Sequence, residues 1–253
     1  MELYKKFMEL GFQEELVNKE YLLNFYKELR LEDLQIQKID KETTLFNNLE
    51  VLTISKNNIQ VLENLPPNIK EVYAFYNEIS FLKTPKAYEN LVYLGLGYNR
   101  LTDSVFGKQD FKHNLILIDD LHRGFPKLMG IDLSYNEICG LDTAVSSLTF
   151  FKNLKMLNLF GNPVTLMPYY RTTILEELKM LKVFDNEKVN QEVSYKIKPK
   201  QTSIMTSVVI KDAPTKDVGK DNKGSDTFRG SGFRGDDIPD FAIKSGILVR
   251  EYL

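Results

Sequence analysis

The sequence predicts an α/β repeat solenoid with a curved parallel sheet on its concave face, a helical cap in front, a closing cap behind the last repeat and an extended tail. Three observations carry this expectation. The pattern LxxLxLxxNxL recurs five times in phase, at Leu49–Ile59, Ile69–Ile79, Leu91–Leu101, Leu128–Ile138 and Leu154–Val164. The chain on either side of these copies carries helical periodicity, and beyond Asp185 the composition turns polar and glycine-rich. In such a repeat the leucines and isoleucines of each turn point inward and stack on those of the next, so no turn is stable alone.

In chain order, Leu3, Phe7 and Leu10 recur at i, i+4, i+7, and after Gly11 the set Leu22, Phe25, Tyr26, Leu29 recurs at i, i+3, i+4, i+7. Asn18 is placed to cap the second helix. Residues 1–30 are therefore expected to be a helical N-terminal cap that covers the open end of the first repeat, the alternative being a partner-binding helix. Leu31, Leu34, Ile36 and Ile39 form a degenerate first repeat with isoleucine where asparagine is expected. The repeat domain runs over 31–185, with short strands at LxLxx. The repeats start at 49, 69, 91, 128 and 154, intervals of 20, 22, 37 and 26 residues that must be absorbed on the convex side. The 37-residue interval reads either as a longer convex segment with an extra helix or as a protrusion that meets a partner.

The asparagines have a separate task. Their amides are expected to bond buried backbone groups where the chain leaves each strand, groups that would otherwise cost about 1–3 kcal/mol apiece. Asn57, Asn77, Asn99, Asn136 and Asn162 are thus structural, not ligands. Behind the last repeat, Ile174, Leu175, Leu178 and Leu181 make the stripe of a closing helix. The tail, 186–253, is expected to be extended and mostly irregular; its two less polar patches, Ile204–Ile210 and Phe241–Leu253, are candidates for strand addition or docking.

Composition bounds the function. With 33 basic and 35 acidic residues the formal charge is −2, so no whole-protein field draws in nucleic acid or anionic lipid. The single cysteine, Cys139, allows no intramolecular disulfide and points to a reducing compartment. The expected role of Cys139 is that of a small buried hydrophobe. The N-terminal stretch has no uninterrupted apolar core, and nowhere do eighteen apolar residues run together, so a cytoplasmic protein without membrane contact is expected.

No chemistry emerges. The two histidines, His113 and His122, stand in no HExxH, and no GxxxxGK[ST] or GxGxxG follows a strand. His122-Arg123-Gly124 lacks the acid of a kinase catalytic loop and reads as a loop. Asp119, Asp120 and Asp132 have no metal-ligand spacing, and the two arginines of Phe228–Gly235 are surrounded by acids, as in a linker. No cofactor, metal or small-molecule ligand is expected, and no catalysis.

What remains is a surface. The residues between the inward leucines face out of the concave sheet, and the middle of that face is aromatic: Tyr73, Phe75, Tyr76, Tyr93, Tyr98 and Tyr135 surround Gly95 and Gly97, with Asp132, Met156 and Phe160 beside them. Local packing before the asparagine accounts for Tyr76, Tyr98 and Tyr135 but not for Tyr73, Phe75 and Tyr93. The expectation is a protein-binding face with a recess over the two glycines.

The closing segment also carries a resemblance. Gly161-Asn162-Pro163, then Tyr170-Arg171, then Leu178, Leu181, Phe184 and Asp185 resemble the C-terminal cap of the SDS22-like leucine-rich repeat proteins. Phe184 stands where that group usually has leucine, and Met180 interrupts its usual proline-containing turn. The resemblance implies a leucine-rich repeat solenoid acting as a non-catalytic interaction scaffold. Many proteins that this cap resembles are axonemal, attached to dyneins, radial spokes or docking complexes, so the resemblance implies a ciliary location with axonemal subunits as the expected partners. The same resemblance leaves open a regulatory subunit of a phosphoprotein phosphatase and a spliceosomal leucine-rich repeat protein.

Overall fold

A computed structural model describes residues 2–9, 19–84, 86–106 and 121–189, and it has the leucine-rich repeat architecture. The elements are α1 (Leu3–Glu9), α2 (Lys19–Phe25), β1 (Glu28–Arg30), β2 (Val51–Thr53), β3 (Val61–Leu62), β4 (Glu71–Tyr73), β5 (Phe81–Leu82), β6 (Tyr93–Gly95), α3 (Leu121–Gly124), β7 (Gly130–Asp132), α4 (Leu141–Leu148), β8 (Met156–Asn158), α5 (Tyr170–Glu177), β9 (Val183–Phe184) and β10 (Glu187–Lys188). One sheet runs β1-β2-β4-β6-β7-β8-β9-β10, and β3 pairs with β5 on the other side of the turns. Every pair is parallel except β9 with β10.

The pattern residues build the core. Leu52, Val72, Leu94, Ile131 and Leu157 lie in register on successive strands and are fully buried. Each such side chain removed from water contributes about 1.5–3 kcal/mol, and only because the next turn covers it. The far side of each turn adapts to its length. The two short intervals close with the two-residue strands β3 and β5, whereas the longer ones carry α3 and α4, with Leu141, Ala144 and Leu148 facing the core. Of the long interval, 107–120 lie outside the described residues. Asp103 in that interval accepts from Cys139 N at 2.9 Å and Gly140 N at 2.8 Å, which ties it to the turn that follows.

The asparagine ladder forms as expected. Asn77 Nδ2 donates to Ile54 O at 3.0 Å while its Oδ1 accepts from Ile59 N at 3.1 Å, and Asn99, Asn136 and Asn162 repeat the arrangement. At the end of the series Asp185 takes over, with Oδ1 accepting from Leu159 N at 2.8 Å and Oδ2 from the Tyr170 hydroxyl at 3.0 Å. Desolvation pushes the Asp185 carboxyl above its ordinary range despite these bonds. Ile174, Leu181 and Phe184 are buried beneath this cap. Phe184 in place of leucine packs on Tyr170 with centroids 5.5 Å apart and receives the Arg171 guanidinium 5.3 Å from its ring centre.

Five expectations are corrected. Residues 1–30 are not helical throughout: α2 ends at Phe25, and Leu29 is the buried centre of strand β1, paired with Leu52. The helical spacing of Leu29 coincides with the repeat frame, and the hydrogen bonds to β2 decide for the strand. That pairing also moves the first repeat upstream. Leu31 aligns with Ile54 and Leu34 with Asn57, so leucine, not isoleucine, stands in the asparagine place. Asn57 then serves both turns, accepting from Leu34 N at 3.1 Å and Ile36 N at 3.0 Å in the first and donating to Ile54 O at 2.9 Å in its own. Cys139 is exposed because it follows the inward Ile138 and points the other way. His122 lies on helix α3, not in a loop, with its ring stacked on Phe150 at 4.9 Å. Strand β10 lengthens the ordered domain past Asp185. Leu10 and Asn18 lie outside the described residues, as do the tail patches. Helix α1 does act as a cap: Leu3 N donates to Lys38 O at 3.1 Å, and Phe7 packs on Phe46 with centroids 5.1 Å apart.

Candidate protein-binding face

Parallel register arranges the concave side chains in three rows that cross the strands. The first reads Val51, Glu71, Tyr93, Gly130, Met156, Val183, and the second Thr53, Tyr73, Gly95, Asp132, Asn158. Two residues further along the turns come Ser55, Phe75, Gly97, Ser134 and Phe160. The expected residues are therefore brought together on one face, but not as a recess.

The glycines are covered by their neighbours' rings. A Cβ on Gly95 would lie 2.5 Å from Phe75 Cζ, and one on Gly130 would lie 2.9 Å from Tyr93 Cδ2. Each glycine leaves room that the aromatic ring of the preceding turn leans over and fills. Tyr93 is completely buried, with Tyr73, Met156 and Val183 around it, and Phe75 is 6% exposed. The recess expected over Gly95 and Gly97 is thus occupied by Phe75, because an empty slot next to a mobile ring forfeits dispersion contacts that the ring can recover. Tyr73 remains half-buried, its hydroxyl donating to Glu71 Oε2 at 2.7 Å.

Asp132 is likewise not a surface group. Its Oδ1 accepts from Ser134 N at 2.9 Å and Ser134 Oγ at 2.6 Å, and its Oδ2 accepts from Asn158 Nδ2 at 3.0 Å. Burial pushes its carboxyl above the ordinary carboxylate range, and the three hydrogen bonds only partly oppose that. Gly130, Ser134 and Asn158 lie on this face, as the alternation with the inward leucines leads one to expect, whereas Val183, paired with Met156, was missed. The row register, aligned turn against turn, is the signal that finds it.

The accessible aromatic surface lies one position over, where each strand hands its chain to the turn. Lys56, Tyr76, Tyr98 and Tyr135 all take left-handed backbone there, with φ of 58°, 52°, 56° and 50°. The next turn holds that conformation in place: Tyr76 N donates to Gly97 O, Tyr98 N to Ser134 O and Tyr135 N to Phe160 O. Identical backbone in adjacent turns stacks the rings of Tyr76, Tyr98 and Tyr135, 4.2 Å apart at 15°. Burial between its neighbours, and then their hydroxyls beside its own, push the Tyr98 phenol well above its usual range. The column ends on Phe160, edge-on to Tyr135 at 5.6 Å and 50% exposed. It can end there because the next residue is Gly161, with φ of 77°, where a Cβ would strike Tyr135 Cδ1 at 2.6 Å. Beyond the column, Leu166, Met167 and Tyr169 are also exposed.

Among the described residues no group of three histidine, cysteine, aspartate or glutamate side chains could hold a metal ion. No described helix is long and apolar enough to cross a membrane.

In-register leucines, the asparagine ladder and two fitted caps define a leucine-rich repeat protein. No family model matches the chain. It resembles leucine-rich repeat-containing protein 43 of Homo sapiens, with 32% identity over 170 residues that make up 66% of this chain and 24% of that protein. Against leucine-rich repeat-containing protein 43 of Mus musculus the identity is 30% over 183 residues, 70% of this chain and 26% of the relative. The chain thus spans about a quarter of the length of these relatives. Among solved structures it is similar to one chain of the Drosophila melanogaster SNF/U2A' complex, with 20% identity and a TM-score of 0.45, covering 77% of this chain and 89% of that one.

Proposed function

We propose that the chain is a non-catalytic protein–protein interaction scaffold. In this reading it is a structural component of the ciliary axoneme, attached to radial spokes, dyneins or a docking complex. The observation that carries the scaffold reading is the stacked column of Tyr76, Tyr98 and Tyr135 ending on the half-exposed Phe160. Stacked rings are held rigid before a partner arrives, so they present apolar area with little side-chain freedom left to lose on binding. The axonemal assignment is supported by the closing motif Gly161-Asn162-Pro163, Tyr170-Arg171 and Asp185 and by the likeness to leucine-rich repeat-containing protein 43. The tail patches Ile204–Ile210 and Phe241–Leu253, outside the described residues, would supply a second attachment.

The test is affinity purification of the full chain from isolated cilia and, in parallel, from whole cytosol. Recovery with radial-spoke or dynein components from the ciliary fraction supports the reading. Recovery with a phosphatase catalytic subunit, or with no ciliary component, overturns the axonemal assignment.

A further inference from the structure

Two buried polar groups on the concave face are incompletely answered: Asp132 lacks a counter-charge and the Tyr93 hydroxyl lacks a hydrogen-bond partner. Asp132 is 1% exposed, and its three hydrogen bonds all come from neutral donors, two from Ser134 and one from Asn158. In the concave rows between β4 and β9 no lysine or arginine stands opposite it. A buried carboxylate without a counter-charge is an expensive group to keep. Tyr93 is fully buried as well, and its hydroxyl has no hydrogen-bond partner. A carboxylate is acceptor-only and a phenol oxygen has lone pairs to spare, so one cationic donor would answer both.

The space for that donor is already drawn. Asp132 is the cross-strand neighbour of Gly95, and Tyr93 lies two residues from Gly95 on the same face. The Phe75 ring occupies the room above the glycines, 2.5 Å from a Cβ placed on Gly95 and 3.1 Å from one on Gly97. Asp132 Oδ1 is 3.2 Å from that same Cβ on Gly97, so carboxylate and ring border one slot. Of the atoms nearest a Cβ at Gly95 or Gly97, those from large side chains belong to Phe75 and Tyr93, so a Phe75 ring rotated away would uncover the backbone of both glycines. The floor of the slot would then be glycine backbone, with the Tyr93 ring and the Asp132 carboxylate as walls.

We propose that this slot is a binding site for an arginine side chain of a partner protein, with Phe75 as its gate. The guanidinium takes the place of the Phe75 ring over Gly95 and Gly97, donates to Asp132 and to the Tyr93 hydroxyl, and lies against the tyrosine ring. Arginine fits better than lysine because its head is as flat as the ring it replaces, is less strongly hydrated and carries several donors in one plane. The proposal rests on the concave face being the protein-binding face and names the chemistry that this face selects.

The test uses the full chain and a small probe, N-acetyl-arginine methylamide, with N-acetyl-citrulline methylamide as its neutral isostere. Backbone amide NMR of Gly95 and Gly97 reports binding. The arginine probe is expected to give saturable shifts and the citrulline probe none. Phe75→Ala, which removes the gate, should bind the arginine probe roughly tenfold more tightly, and adding Asp132→Asn should weaken that binding at least about tenfold. Equal response to both probes, undiminished binding after Asp132→Asn, or no saturable shift in the gateless variant overturns the proposal. Circular dichroism checks each variant, and Phe75→Leu replaces Phe75→Ala if the latter does not fold. Because no partner is present, failure here with intact ciliary recovery removes the slot alone. Probe binding without ciliary recovery removes the axonemal reading alone.

Discussion

Replacing Asn99 by alanine measures how much the asparagine ladder contributes. The amide makes its bonds in a buried setting: Nδ2 donates to Ala74 O and Leu96 O, each at 3.0 Å, and to Gly97 O at 3.2 Å, which also receives Tyr76 N, and Oδ1 accepts from Ile79 N at 2.9 Å. These partners are not equally exposed to the loss. Ala74 O also receives Asn77 Nδ2 at 3.2 Å, and Leu96 O also receives Asn136 Nδ2 at 2.9 Å, so both carbonyls keep a donor. Ile79 N has no second acceptor and is left buried and unpaired, which costs about 1–3 kcal/mol. Three weakened carbonyl bonds add about 0.5 kcal/mol each, for an expected total of roughly 2–5 kcal/mol. Asn68→Ala is the control. Its Nδ2 donates to Asn47 O at a comparable 2.8 Å but in an exposed setting, where water replaces the bond and the loss stays under ~1 kcal/mol. Urea unfolding of both variants, followed by far-ultraviolet circular dichroism at unchanged m, reads the difference. If Asn99→Ala cost no more than Asn68→Ala, the ladder would not be holding the turns together.

Three further outcomes follow from the concave face. Tyr93→Phe removes a buried hydroxyl without a partner and should raise stability by about 1 kcal/mol in the same denaturation assay; a loss of that size would mean the hydroxyl is satisfied. Gly95→Ala drives a Cβ into the Phe75 ring and should destabilise by about 1–3 kcal/mol, whereas adding it to Phe75→Ala should cost much less, so the double-mutant cycle must show strong coupling. The third concerns pH. Burial raises the Asp132 carboxyl, so the folded chain holds a proton there that the unfolded chain has already released, and this site loses stability as pH climbs from about 4 through the raised value. Asp132→Asn removes that dependence. Relative to wild type the variant should gain stability between acidic and neutral pH, and a pH-independent difference would refute it.

The fold was legible in the sequence because it is one-dimensional: inward leucines and the asparagine obey a fixed spacing, and the structure stacks Leu52, Val72, Leu94, Ile131 and Leu157 in register. Where the spacing was ambiguous, pairing decided, as when Leu29 satisfied both a helical and a repeat period and became a strand. The face was legible in membership but not in depth. Tyr73, Phe75, Tyr93, Gly95, Gly97 and Asp132 do lie together, yet whether a ring stands up or leans over the glycine of the next turn depends on neighbours some twenty or more residues away in the chain. Tyr76, Tyr98 and Tyr135, which local packing alone could account for, stack at the accessible edge of that face, because a repeated left-handed turn sets their rings one above another.

The central claim is that this edge meets another protein, and position-specific photocrosslinking tests it most directly. A photoreactive phenylalanine analogue at Phe160, at the open end of the column, is compared with the same analogue at exposed Phe150, beside His122 and away from the column. In ciliary extract a discrete adduct with an axonemal protein should form from position 160 and not from position 150. Adducts from 150 alone, or none from 160, would contradict the account.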